Sequence, residues 1–140
     1  MYCETSLASG QETVTDKRID PGGRTAIALT LAEREFVLNE MRIFLGSTKN
    51  IVDGITSGVM GLVAESARES GRAEQSGMPA TLPEKLPKSF RQLGSDTHRK
   101  FDELALDAEQ LGDGEHSLSQ LGHLLGNCMS CHSAFRIEGQ

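Results

Sequence analysis

Residues 117–137, SLSQLGHLLGNCMSCHSAFRI, set Leu118, Leu121, Leu125, Cys128, His132 and Phe135 at alternating steps of three and four. That is a heptad-like seam of the kind that packs helices into bundles. The spacing predicts a last helix over 117–137. Working outward, Gly112-Asp113-Gly114 ends a preceding helix over 88–110, whose apolar face carries Phe90, Leu93, Thr97, Phe101, Leu104, Ala108 and Leu111. Near the front, Thr30-Leu31-Ala32-Glu33 has the form of a capping box. It opens a first helix over 31–53, with the stripe Val37, Met41, Phe44, Thr48, Ile51 and Ile55. A second helix over 56–70 carries Val59, Leu62, Val63 and Ala67, and Gly71 is placed to cap it.

Residues 71–87 hold Gly71, Gly77, Pro79, Pro83 and Pro87, the pattern of a long connection. No alternating run bounded by hairpin turns reads as a strand. The expected fold is all-α: an antiparallel four-helix bundle with two short turns and one long crossover. Residues 1–26 read as a polar tail containing the turn Asp20-Pro21-Gly22-Gly23, and 27–140 as the helical domain.

Length and charge narrow the function. At 140 residues the chain is one domain's worth. A net charge of −6 argues against a nucleic-acid binder that works by neutralising phosphates. One Tyr and no Trp argue against a stacking platform for single strands. No apolar run is long enough to span a bilayer, and the first twenty residues lack the core of a signal peptide. A cytoplasmic protein or a trimmed exported one both fit.

The chemistry-bearing motif is Cys128-Met129-Ser130-Cys131-His132, C-x-x-C-H, the pattern of c-type haem attachment. On a helix, Cys131 lies about 300° beyond Cys128 and His132 about 40° beyond it. All three side chains then share roughly a 100° sector. Two thioethers can hold the edge of the macrocycle while the adjacent imidazole reaches the iron. Zinc would need four ligands, and only one Cys pair is present. A thioredoxin-like pair would sit at a helix start after a strand, which this one does not.

Cys128 to Arg136, C-M-S-C-H-S-A-F-R, near the end of a helical chain of this size, resembles the class II cytochromes c. That group includes cytochrome c′ and its low-spin relatives. The resemblance spans roughly residues 27–138. It implies a four-helix bundle, one covalent haem c, export to the periplasm and frequent homodimers, with His132 as proximal iron ligand.

The sixth iron position decides function, since an open iron binds gases and a filled one favours electron transfer. Candidate donors are Met41, Met60, Met78, His98, His116 and His123. His132 lies about 9 Å from the end of its helix and Met41 about 15 Å from the start of the first helix. Those ends are adjacent in an up-down bundle, so the levels match to about 6 Å. Met60 and His116 fall at the far end, and His123 points to the other side of its helix. Met78 and His98 stay open as rivals. The segment Met41 to Lys49 is similar to the family helix that covers the distal haem face, where low-spin members place Met; the matching residue is Met41. Many relatives carry an Arg four residues earlier, where this chain has Val37. Arg34 and Arg42 are the substitutes considered for a haem-propionate partner.

Two functions follow as expectations. The first is a non-enzymatic electron carrier with a His132/Met41 iron, whose acidic surface suits a basic redox partner. The second is a five-coordinate, gas-binding protein for NO or CO, with Met41 packing over the iron. Gly54, Gly58 and Gly61 read either as an adaptable turn or as a close helix approach, across a dimer interface in one version. Cys3 is a membrane anchor only if it is lipidated.

Overall fold

A computed structural model describes residues 22–74 and 76–139, and the protein is mostly helical over them. The elements are β1 (Thr25–Leu29), α1 (Leu31–Ser57), α2 (Met60–Arg68), a 3-10 turn (Arg72–Glu74), α3 (Leu82–Lys85), α4 (Lys88–Leu111), α5 (Gly114–Ala134) and β2 (Phe135–Gly139). Helix α1 packs on α2, α2 on α4, α4 on α5, and α5 returns to α1.

Helix α1 starts where the capping box places it. Thr30 Oγ1 accepts from the Glu33 backbone, and the Glu33 carboxylate accepts from the Thr30 N–H at 2.9 Å. The helix runs four residues past the expected 53, because the left-handed cap falls at Gly58, with φ 73°. That delays α2 to Met60. A Cβ on Gly54 would lie 2.7 Å from Val63 Cγ2, so Gly54 is where α1 and α2 approach closely, within one chain. Gly71 is not the cap of α2, which ends at Arg68 with Glu69 right-handed. Gly71 instead makes room for Asp102, whose carboxylate accepts from the Arg72 backbone and guanidinium. Gly112, at φ 61°, closes α4, and Asp113 caps α5 by accepting from the N–H groups of Glu115 and His116.

Helix α5 is rotated from the expected seam. Leu118 and Leu125 are exposed, at 52% and 38%, while Ser117, Leu121 and Leu124 are buried and Cys128 packs against them. Two stripes of nearly equal period lie on this helix, about 100° apart. Packing selects the one whose Leu121 and Leu124 join Ile51, Val63, Phe101 and Leu104 in the core.

The strands were not expected. β1 and β2 pair in parallel, from Thr25 opposite Phe135 to Leu29 opposite Gly139. The segment from Phe135 to Ile137, assigned above to the last helix, is therefore strand. Thr25 and Ala26 of β1 lie inside the segment read as tail, whose residues 1–21, Cys3 among them, fall outside the described residues. Each strand has five residues, and they meet across the whole chain, so no local turn announces the pair.

Two cores result. The larger joins Ile51, Val63, Ala67, Phe101, Leu104, Leu121 and Leu124 among the four long elements. The smaller lies under the sheet, where Ile27, Leu29, Val37 and Leu82 pack with Phe36, Met78, Leu86, Phe90 and Phe135. Glu33 ties the second core together. It is 1% exposed, and its carboxylate accepts from Lys85 Nζ at 2.8 Å and Thr81 Oγ1 at 2.6 Å besides Thr30. The Lys85 ammonium first, then the Thr81 and Thr30 donors, hold its pKa at about 2, below the ordinary 4.5. A depressed folded pKa gives stability that is whole above the unfolded value and fades as pH falls towards the folded one. Wild-type unfolding free energy should therefore drop between about pH 4.5 and 2 with a component that Glu33→Gln lacks. Urea titrations across that window check this; identical pH slopes in the two proteins would refute it.

Candidate functional site

A cavity of about 250 Å³ opens between α1, the segment 78–86, α4 and α5. Its body is apolar, built from Phe36, Val37, Phe44, Leu82, Leu86, Phe90 and Leu93. The last two turns of α5 form one wall and bring Cys128, Cys131 and His132 to it. Met41 lines the same cavity from α1, and Met78 from the loop before α3. Met60, His116 and His123 do not line it. His116 instead meets Asp107, with Nε2 2.9 Å from Oδ2.

Both cysteines are free thiols and half-buried. Burial raises the pKa of each, and for Cys131 the neighbouring Cys128 adds to the effect. Among the described residues, no group of three His, Cys, Asp or Glu side chains is arranged to hold a metal ion.

His98 also faces the cavity, but its ring is committed. It is 3% exposed, with Nδ1 2.7 Å from the Ser70 carbonyl and Nε2 3.1 Å from Glu40 Oε1. Both partners are acceptors, so the doubly protonated ring satisfies both at once. Burial works against that charge, yet the Glu40 and Ser70 bonds outweigh it and raise the pKa. Coordination by His98 would require giving up one of these bonds. Phe44 packs on the ring at 5.0 Å between centroids and also stacks on Phe101. His132 contrasts with His98: among the described residues its ring has no hydrogen-bond or ion-pair partner.

The level of the Cys pair is fixed by Asn127. Its amide donates to Asp96 Oδ2 at 2.8 Å, and its carbonyl accepts from Lys100 Nζ at 2.9 Å. The Asn127 bond, then Arg99 and Lys100, hold the Asp96 carboxyl well below the usual range. This latch between α4 and α5 sits one residue before Cys128. Sequence reading missed it, as it missed Glu40, because both are polar residues on faces that read as solvated. Arg34 and Arg42 are exposed and do not line the cavity.

Comparison with protein-family models, curated proteins and solved structures found no match to this chain. Among the described residues, no helix is long and apolar enough to cross a membrane.

Proposed function

We propose that the protein is a single-haem c-type cytochrome of the class II kind, an antiparallel four-helix bundle that carries electrons. One observation carries the reading: Cys128, Cys131, His132 and Met41 line one apolar cavity. These residues suit the group. Cys128 and Cys131 would hold it through thioethers, His132 would ligate the iron from α5, and Met41 would ligate it from α1. When bound, the haem supplies a one-electron couple, whose potential a His/Met ligand pair raises.

The chain's own part is binding, orientation and exclusion of water. Phe36, Phe44 and Phe90 would give the macrocycle an apolar bed. The Asn127 latch fixes the height of the Cys pair. The His98–Glu40 pair keeps its charges matched, so the inner wall carries no unbalanced charge. Covalent attachment entails export to the periplasm, as the resemblance implies, where a basic redox partner would meet the acidic surface. A homodimer is compatible with the same reading, and Cys3 would anchor the protein only if it were lipidated.

The test is the spin state. The ferric protein should be low-spin by electron paramagnetic resonance, and the ferrous protein should bind CO slowly. A high-spin iron that binds CO at once would replace the electron carrier with the five-coordinate gas-binding protein.

A further inference from the structure

The charges lining the cavity are unevenly matched. On α4, Arg91, Ser95 and His98 follow at steps of four and three, and all three line it. They form one strip that rises about 10 Å along the helix. The strip runs from rim to floor, since Arg91 is exposed and His98 is 3% exposed. At the floor, His98 is paired with Glu40 from α1. At the rim, Arg91 has no partner: its guanidinium makes no ion pair or hydrogen bond among the described residues. Lys49, Arg68, Arg72, Lys85, Arg99 and Lys100 each face a carboxylate. Among the described residues, Arg91 is also the one Lys or Arg side chain that lines the cavity.

An apolar cavity with a neutralised floor and one unpaired guanidinium at its mouth selects a particular ligand shape. The body must be apolar and the solvent-facing end must be anionic. A guanidinium matches a carboxylate through two parallel N–H bonds, which fixes orientation as well as charge. We propose that Arg91 anchors a carboxylate arm of the ligand held in this cavity. Under the function proposed above, on which this inference rests, that arm is a haem propionate. Arg91 thereby takes the role that the sequence assigned to Arg34 or Arg42, from a different helix.

The test uses the full chain after intact mass has established one attached haem. Arg91→Gln, Arg91→Lys and Arg34→Gln are compared by the propionate-bending band in resonance Raman spectra and by midpoint potential at low ionic strength. Arg91→Gln should shift the band and lower the potential, because a cation beside the macrocycle disfavours the ferric charge. Arg91→Lys should keep the potential near wild type while the band moves, since the charge stays and the fork is lost. Arg34→Gln should move neither. A haem-loaded Arg91→Gln protein with wild-type band and potential overturns this assignment and leaves the cytochrome reading intact. A wild-type mass without haem overturns both, and is read before any spectrum.

Discussion

In the proposed cytochrome, Met41→Leu should convert the ferric iron from low-spin to high-spin. Met41 lies on α1 one turn beyond Val37, which is buried, and three residues before Phe44, which stacks on Phe101. Its side chain lines the same cavity as Cys128, Cys131 and His132. Leucine keeps the bulk and removes the donor sulfur, so packing changes little. The potential should fall, because the thioether favours ferrous iron. CO should then bind the ferrous protein rapidly. Met78→Leu is the decisive companion, because Met78 lines the same cavity from a loop. It should leave the spin state unchanged. Loss of the low-spin signal in Met78→Leu, with Met41→Leu unaffected, would move the ligand to the loop.

Replacing Cys128 and Cys131 together by Ala should have the largest effect on stability and on cofactor content. The intact mass should lose one haem, and any residual red colour should extract into acid–acetone. Without the attached group, the apolar walls built by Phe36, Phe44, Leu82, Leu86 and Phe90 lose their packing partner. The double variant should therefore unfold at much lower urea, with a weakened transition. A variant that unfolds like wild type would mean that nothing large fills the cavity.

The helices were legible because long periodic faces and caps are local signals. The Thr30–Glu33 box and the Gly112–Asp113 boundary sit where the sequence puts them. The rotation of α5 was not legible, because Leu118 and Leu125 compete with Ser117 and Leu124 for one seam. Tertiary packing decides between them, since Leu121 and Leu124 join Ile51, Val63, Phe101 and Leu104 in the core. The parallel strand pair was hidden for a related reason: Ile27 and Leu29 find their partners more than a hundred residues later.

The candidate site divides in the same way. C-x-x-C-H is a contiguous motif, and its helical spacing alone brings Cys128, Cys131 and His132 to one wall. Met41 could be matched to that wall by counting residues along two helices. The state of His98 could not, because Glu40 and Ser70 reach it from α1 and from the turn after α2. Arg91 was hidden by its position at the start of a helix, beside a connection that sequence reads only as a loop.

The measurement that bears most directly on the central claim is the intact mass of the full chain, expressed with an export leader in a host with an active c-type maturation system. The account predicts one haem added to the polypeptide, retained through acid–acetone extraction, with a pyridine haemochrome spectrum of the two-thioether type. An unmodified mass from such cells, with no absorption from haem, would contradict it.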